Sequence, residues 1–285
     1  MKTGYIGLGL MGLPCTFNLL KAGHQVHVWA RRPEAAKEAL ERGAVWCDSI
    51  AEAASRCEVL FLNVTNTADV EAILFGDKGV VASGNRGLTV VDMSTISATA
   101  TRAMAKRLEP YGIELVDAPV SGGTVGAANG TLTIMVGATE ETFARIKPVL
   151  LDMGKSVTRI GECGAGQVAK SCNQIIITGT IAAVAEAFKF AEAADVDPVP
   201  VREALLGGFA SSRVLELHGN RMIEDNYAPG FKTVLHLKDM GIVKGIAEEF
   251  GLAMPVSQAG IGLLEKTVDA GYGEQDSSAM FKVTE

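Results

Sequence analysis

The sequence predicts two successive domains: an α/β domain with a doubly wound, mostly parallel sheet over residues 1–163, and an all-α domain over residues 164–285. Three observations support this prediction. Short apolar runs alternate with helix-like segments in the first part, a glycine-rich turn follows the first run, and only helical apolar spacing continues after residue 163. Residues 164–194 carry that spacing without interruption, which predicts one long helix at the start of the second domain.

Seven apolar runs of the first part are rich in Val, Ile and aromatic residues, as strands are. In chain order they read YIGL, QVHVWA, VLFLNV, TVVDMS, IELVDAPV, TLTIMVG and SVTRIG. Helix-like segments separate them, such as PEAAKEALERG, which opens with Pro33 and closes at Gly43. This alternation is typical of a parallel sheet with helices on both faces.

The composition excludes several classes of function. The chain has 285 residues, of which 48% are hydrophobic and 21% charged, so it can bury a sizeable core. The net charge is -7, and no Lys/Arg cluster is long enough to follow a nucleic-acid backbone. The longest apolar run, residues 175–187, is interrupted by polar residues, and the first residues do not resemble a signal peptide. We therefore expect a cytoplasmic protein with no nucleic-acid or membrane partner.

Cysteine and histidine usage predicts neither disulfides nor a metal site. The five cysteines are odd in number and form no CxxC pair, so we expect buried, reduced thiols. The four histidines show no metal-ligand spacing and are interpreted as structural.

The first strand runs directly into a GxGxxG segment, which comprises Gly7, Leu8, Gly9, Leu10, Met11 and Gly12. In this context Gly7 permits a tight turn, Gly9 lets backbone N–H groups approach a pyrophosphate, and Gly12 allows close packing of helix on strand. The helix that follows presents its positive dipole end to the anion. The segment therefore predicts a dinucleotide site in a Rossmann domain, the alternative being a glycine-rich turn that binds nothing.

The end of the second predicted strand indicates which dinucleotide is bound. NAD sites place an acidic side chain there, about 20 residues after the glycines, to bind the ribose 2'-hydroxyl. This chain has Ala30 at that point, followed by Arg31 and Arg32. Because guanidinium groups match a phosphate, NADP is favoured over NAD. The alternatives are that the arginines form a solvated turn, or that one stacks on adenine without phosphate preference.

Two further polar groups stand out in apolar surroundings. Ser121, Gly122 and Gly123 follow a strand, where successive glycine amides can form an anion-binding concavity, although an ordinary turn has the same sequence. Lys170 lies near the first turns of the long helix, and Asn173 and Gln174 lie three and four residues later, on the same helical face. A lone lysine would usually extend its ammonium group to solvent, but the two amides on its face favour a functional lysine.

Four stretches, in this order, resemble the β-hydroxyacid dehydrogenase family over nearly the whole chain: GLGLMG, DAPVSGGTVGAANGTLTIMVG, GAGQVAKSCNQ and GFKTVLHLKDM. The resemblance implies an N-terminal Rossmann domain, an all-helical C-terminal domain and homodimers or homotetramers formed through the latter. It implies that Lys170 is the catalytic lysine. The positions that match substrate-binding ones are Ser121, Gly122, Gly123, Asn173 and Gln174. The positions that match those lining cofactor and nicotinamide are Val64, Thr65, Thr95, Phe231 and Lys238, although many relatives have Leu-Pro where this chain has Val64-Thr65.

The resemblance also implies a reaction. A hydride passes between NADP(H) and a short acid that carries an aldehyde or a primary alcohol. Asn173-Gln174 and the stretch GGFASSRVLE favour tartronate semialdehyde, reduced to glycerate, as the small carboxylate substrate. Two alternative substrates are known from the same family. One is methylmalonate semialdehyde, the oxidised form of 3-hydroxyisobutyrate, and the other is succinic semialdehyde. An alternative of another class is an NADP-binding sensor or scaffold without turnover.

Overall fold

The computed structural model describes all residues from Met1 to Glu285. The chain divides into two compact units, Met1–Lys170 and Ser171–Glu285, which are described separately. The division falls inside a long helix, after its sixth residue. The boundary predicted from the sequence, between residues 163 and 164, stays a prediction.

The first unit contains nine strands. They are β1 (Lys2–Ile6), β2 (Gln25–Trp29), β3 (Val45–Trp46), β4 (Val59–Leu62), β5 (Thr89–Asp92), β6 (Glu114–Asp117), β7 (Val120–Ser121), β8 (Leu132–Gly137) and β9 (Gly154–Gly161). All seven predicted runs overlap a strand, although β1 begins before its run and β9 begins two residues before its run. The sequence missed β3 as a separate strand and did not separate β7 from β6, because two-residue strands leave almost no periodic signal.

Seven helices connect these strands: α1 (Gly12–Lys21), α2 (Lys37–Glu41), α3 (Ile50–Ser55), α4 (Thr67–Phe75), α5 (Ala98–Leu108), α6 (Gly123–Asn129) and α7 (Glu140–Leu151). The segment predicted as one helix from Pro33 to Gly43 differs in detail, since a 3₁₀ turn over Pro33–Ala36 precedes α2. Gly43 has the positive φ that ends such a segment, at 97°.

The strands form one sheet in the order β3-β2-β1-β4-β5-β6-β8-β7, with β9 paired to β8. Strands β1 to β6 pair in parallel, whereas β8 runs antiparallel to β6 and β7. The chain order therefore reverses beside β1, between β2 and β4. Ligands of open α/β sheets bind at this switch point, outside the carboxyl ends of the strands.

Both faces of the sheet are buried, as a doubly wound fold requires. Neighbouring residues of one strand belong to different core clusters: Tyr5 packs on one face and Ile6 on the other, and Phe61 and Leu62 repeat the alternation. The prediction of a doubly wound, mostly parallel sheet is confirmed.

The second unit is helical, as predicted. The long helix α8 (Ala165–Ala193) enters it and is followed by α9 (Pro198–Leu206), α10 (Arg213–Ile223), α11 (Thr233–Glu249) and α12 (Pro255–Thr267). Its core is built from aliphatic side chains around Phe188, which is fully buried. A 3₁₀ segment, Ser277–Val283, closes the chain.

Helix α8 has 29 residues and is long and apolar enough to cross a membrane by length and composition alone. The sequence argument considered only the apolar run 175–187, which is why it missed this property. Core helices of soluble proteins meet the same criterion, and 39% of the most apolar window is buried within the protein. The expected lack of a membrane partner stays a prediction.

All five cysteines are free, and the expected burial is wrong for two of them. Cys15, Cys47 and Cys57 are buried, Cys163 is half-buried and Cys172 is exposed. Cys172 lies on α8 beside the partly exposed Asn173, and the sequence alone did not show which face of this helix is covered.

Candidate active site

The glycine loop after β1 has the geometry that a bound pyrophosphate needs. Gly7 has φ of 97°, and a Cβ atom there would lie 2.1 Å from the backbone oxygen of Asn63. A Cβ atom on Gly12 would lie 2.0 Å from the oxygen of Gly7, so only glycine permits this packing of α1 on β1. A Cβ atom on Gly9 would meet nothing within 4 Å, which leaves its backbone open to an approaching ligand.

The first turn of α1 is accessible to an anion. No side chain caps its N-terminus, and Leu10, in the loop before it, is 69% exposed. Unpaired N–H groups at a helix N-terminus favour negative charge. Arg31 and Arg32 follow β2, the strand next to β1, and both are exposed. The loop therefore fits the pyrophosphate of a dinucleotide, and the exposed arginines lie at the end of the neighbouring strand.

The ends of β4 and β5 are tied together beside the glycine loop. Val64, which follows β4, donates its backbone N–H to Oγ of Ser94 at 2.9 Å. Ser94 itself donates its N–H to Oδ1 of Asp92 at 2.9 Å. These bonds fix the segments that carry Thr65 and Thr95. Both segments lie at the carboxyl ends of parallel strands, as the glycine loop after β1 does.

The Ser121-Gly122-Gly123 segment joins β7 to α6. Its two glycines have φ of 130° and 61°, conformations that disfavour other residues. A Cβ atom on Gly122 would also lie 3.3 Å from the Leu132 side chain. This backbone is thus specific to glycine, which an ordinary solvated turn would not require at both positions.

Lys170 is nearly buried, with 8% of its surface exposed. Its Nζ atom donates to the backbone oxygen of Val120 at 2.9 Å. Because Val120 immediately precedes Ser121, the structure places the ammonium group beside the predicted anion-binding segment. A lysine extended into solvent is therefore excluded as the interpretation of this side chain.

Sequence reasoning missed two residues of the first unit that hold this arrangement. Asp117, at the end of β6, accepts the backbone N–H groups of Gly164 and Gln167 with its two carboxylate oxygens. The Gln167 side chain contacts the chain just beyond β5. Both residues stand in quoted motifs, DAPVSGG and GAGQVAK, but no local spacing indicates what they bind.

In the second unit, four polar side chains form a chain of contacts. Asn173 donates to Oε1 of Gln174 at 2.7 Å, and Gln174 donates to Oδ2 of Asp239 at 2.9 Å. The other oxygen of Asp239 lies 2.7 Å from Nζ of Lys238. Gln174 is almost fully buried, with 2% exposure, whereas Asn173 is partly exposed. Asp239, which the sequence analysis did not select, thus connects three residues that it did select.

Phe231 lies in a loop that a buried carboxylate organises. Asp276 accepts the backbone N–H groups of Gly230 and Phe231 at 3.0 and 3.1 Å. The Phe231 ring also packs on His236, with 5.4 Å between the ring centroids. Among the titratable groups, no cluster of three or more His, Cys, Asp or Glu side chains is arranged to hold a metal ion.

The glycine loop at the switch point of this sheet, with polar side chains at the carboxyl ends of its strands, defines a class: an oxidoreductase with an NAD(P)-binding Rossmann domain. Comparisons with known proteins agree. Residues 2–161 match the NAD-binding domain of 6-phosphogluconate dehydrogenase, and residues 164–284 match the NAD-binding domain of NADP-dependent 3-hydroxyisobutyrate dehydrogenase.

Similar proteins extend the match over the whole chain. The 2-hydroxy-3-oxopropionate reductase of Escherichia coli is 44% identical, over 100% of this chain and 97% of the relative. The 2-(hydroxymethyl)glutarate dehydrogenase of Eubacterium barkeri is 35% identical, over 100% and 95%. The structure of 3-hydroxyisobutyrate dehydrogenase from Mycobacterium tuberculosis superimposes with a TM-score of 0.91 at 31% identity, over 99% and 98% of the two chains. The chain belongs to the β-hydroxyacid dehydrogenase family.

Proposed function

We propose that this protein catalyses reversible hydride transfer between NADP(H) and a short-chain 3-hydroxy acid or semialdehyde. The single observation that carries the proposal is the position of Lys170, a nearly buried ammonium group held 2.9 Å from the Val120 oxygen, next to Ser121. A buried cation at this point is suited to stabilise negative charge that develops on a substrate oxygen.

The bound nicotinamide would supply or accept the hydride. In the direction of reduction, the ammonium group of Lys170 donates a proton to the oxygen of the aldehyde, acting as general acid. In the direction of oxidation, the neutral amine accepts the proton from the alcohol. The backbone amides of Ser121, Gly122 and Gly123 hold the substrate carboxylate, and Asn173 orients the lysine or the substrate hydroxyl.

NADP rather than NAD is the proposed cofactor. Its support is the pair Arg31 and Arg32 directly after β2, where Ala30 replaces the acidic residue of NAD sites. Changing both arginines to glutamine should weaken NADPH binding roughly tenfold or more per lost contact, because a charge-assisted hydrogen bond contributes about 1.5 to 3 kcal/mol. NADH binding should change little. Equal losses for the two cofactors, measured by calorimetry, would show that the arginines do not read the 2'-phosphate.

Tartronate semialdehyde, reduced to glycerate, is the proposed substrate. The 44% identical relative is named for that reaction, since 2-hydroxy-3-oxopropionate is the same compound. Other relatives are named for other acids, such as 2-(hydroxymethyl)glutarate and L-threonate. Within the protein, the polar amides of Asn173 and Gln174 suit a compact hydroxylated acid. A hydroxyl of the substrate would form a hydrogen bond to the partly exposed Asn173, and an unhydroxylated substrate would lack this contact, which contributes about 0.5 to 1.5 kcal/mol.

The test is NADPH oxidation with tartronate, methylmalonate and succinic semialdehydes, using the unchanged protein and Lys170→Ala. We expect the highest kcat/KM with tartronate semialdehyde and a kcat about 10² to 10⁴ lower in the variant, with NADPH binding retained. A tenfold lead of another aldehyde would move the substrate assignment but not the reaction. NADPH binding without turnover of any aldehyde would favour the sensor.

A homodimer or homotetramer formed through the helical unit is part of the proposal. Its support is the apolar surface of that unit, where Phe190 is 78% and Ile176 67% exposed, both on α8. Exposed apolar surface of this kind is typical of interfaces. Light scattering should give a mass at least twice the 29.9 kDa of one chain; a monomer at micromolar concentration would contradict it.

A further inference from the structure

The first turns of α8 are attached to the sheet through both oxygens of one carboxylate. Oδ1 of Asp117 accepts the N–H of Gly164 at 2.6 Å, and Oδ2 accepts the N–H of Gln167 at 2.8 Å. These two amides belong to the helix N-terminus, where N–H groups lack partners within the helix. Asp117 is fully buried, so water cannot replace either bond.

Two glycines show how tightly the helix is seated on this carboxylate. A Cβ atom on Gly166 would lie 2.3 Å from the backbone oxygen of Met135 and 2.8 Å from Oδ2 of Asp117. A Cβ atom on Gly137 would lie 2.2 Å from Oδ1 of the same aspartate. The spacing between helix backbone and strand therefore leaves no room for any larger residue, and the bonds to Asp117 define it.

Gln167 attaches the same turn to a second strand. Its Nε2 atom donates to the backbone oxygen of Ser94 at 2.8 Å, and its Oε1 atom accepts the N–H of Ile96 at 3.1 Å. The side chain thus bridges the segment that carries Thr95. It is 1% exposed, which makes an interaction with solvent unavailable as an alternative.

Lys170 follows Gln167 by three residues, less than one helical turn. Its side chain is long and flexible, so the place of its ammonium group depends on where the helix backbone begins. We propose that Asp117 and Gln167 are positioning residues for Lys170, fixing α8 so that Nζ lies beside Val120 and Ser121. This inference rests on the proposed role of Lys170 as general acid.

A displacement of about 1 Å at a reacting group can lower a rate by roughly 10². We therefore expect Asp117→Asn and Gln167→Met to lower kcat by about 10- to 100-fold. KM for the aldehyde should stay within about threefold, because neither residue belongs to the Ser121–Gly123 segment. The dissociation constant for NADPH should also stay within about threefold in Asp117→Asn, which leaves the bonds of Gln167 to the segment that carries Thr95 in place. If KM rises by the same factor by which kcat falls, the substitution has damaged the site in general.

Thr139→Ala provides the matched control. Thr139 caps α7, another helix of the same unit, by accepting the N–H of Thr142 at 3.2 Å, and it lies outside the proposed site. Its removal destabilises the unit to an extent typical of a lost cap. If this variant loses as much kcat as Gln167→Met does, destabilisation and not positioning explains the effect.

The deciding experiment combines each variant with Lys170→Ala. If Asp117 and Gln167 act through the lysine, their substitution causes no further fall in kcat when the lysine is absent. A fall by the same factor in both backgrounds overturns the positioning role. If Lys170→Ala alone keeps its kcat, the proposed function fails instead, so the two failures are distinguishable.

Crystal structures of Asp117→Asn and Gln167→Met give a readout that needs no turnover. We expect Nζ of Lys170 to move from its place beside the Val120 oxygen by more than about 0.5 Å, the tolerance of catalytic geometry. An ammonium group that stays in place in both variants overturns the inference, whatever their activity.

Discussion

Two buried aspartates, Asp117 in the first unit and Asp276 in the second, bind the backbone of segments that carry site residues. The pKa values of their carboxyl groups are nevertheless shifted in opposite directions. Both are almost completely covered, at 0% and 1% exposure. Burial raises the pKa of the Asp117 carboxyl, and the backbone N–H donors of Gly164 and Gln167 oppose this only in part. Burial also acts to raise the pKa of Asp276, but hydrogen bonds from His218 and Ser278 and the charge of His218 outweigh it and hold the pKa well below its usual range.

The difference lies in the partners. Nearly all the donors to Asp117 are neutral backbone amides, whereas Asp276 faces His218 at 3.1 Å and the guanidinium of Arg221 at 3.8 Å. It also accepts the N–H and the hydroxyl of Ser278. Equal burial therefore leads to opposite pKa shifts, because the charge and number of donors decide whether an ionised carboxylate is stabilised.

The largest effect is expected for Asp276→Asn. The change leaves Arg221 and several N–H groups facing an amide, and a broken buried ion pair costs about 3 kcal/mol. Because the folded pKa of Asp276 lies below the unfolded value of about 3.9, its contribution is present above pH ~4 and is lost as the pH falls further. The free energy of unfolding in urea should be measured from neutral to acid pH for the variant and the unchanged protein. The difference between the two free energies should become smaller below pH ~4.

The matched control for that experiment is Asp225→Asn in the same unit. Asp225 is 81% exposed and pairs with Lys282 at 3.8 Å, so the same chemical change should cost less than about 1 kcal/mol. A loss for Asp276→Asn no greater than for Asp225→Asn would contradict the stabilising role of the buried carboxylate.

A smaller effect, about 1 to 2 kcal/mol, is expected for Asp117→Asn, because asparagine keeps one acceptor oxygen and only one of the two backbone N–H groups loses its acceptor. The pH trend should be opposite to that of Asp276→Asn. The folded pKa of Asp117 is raised, so the folded protein gains stability when this carboxyl takes up a proton on acidification. The difference in the free energy of unfolding between the unchanged protein and Asp117→Asn should thus increase as the pH falls through the raised pKa towards ~4. Parallel trends for the two asparagine variants would invalidate the comparison.

The smallest effect concerns the Cys163 thiol, which reports on the charge of Asp117. Burial, followed by the charge of Asp117 and a hydrogen bond to it, raises the pKa of Cys163 to about 12. In Asp117→Asn the charge is removed, so this pKa falls and alkylation at mildly alkaline pH becomes faster, by about tenfold for each pKa unit. Peptide-resolved mass spectrometry measures the rate, with exposed Cys172 as internal reference. Thr139→Ala, with Asp117 intact, should leave the ratio of the two rates unchanged.

Much of the fold could be predicted because its signals are local. Alternating strand runs, the glycine loop beginning at Gly7 and the helical spacing that became α8 are all visible within short windows of sequence. Similarly, Lys170 was predicted from the amides three and four residues after it. The substrate-binding role of Ser121 was predicted only from the resemblance to a known family. A short window of sequence does not distinguish the Ser121-Gly122-Gly123 segment from an ordinary turn.

The anchoring contacts could not be predicted in this way. Asp117 is separated by 47 and 50 residues from its two amide partners, and Asp276 by 58 residues from His218. Asp239 is 65 residues from Gln174. No periodicity connects such positions, since they meet only after strands and helices have packed.

The sequence by itself thus determined the order of elements, the dinucleotide loop and the family, because backbone preferences and apolar periodicity act between near neighbours. Tertiary structure decided which polar groups share a buried environment. Donors from distant parts of the chain decide the stability of the ionised form of a buried aspartate. They leave this form destabilised in Asp117 and stabilise it in Asp276. Electrostatic energies depend on distance in space and on local solvation, and sequence separation specifies neither.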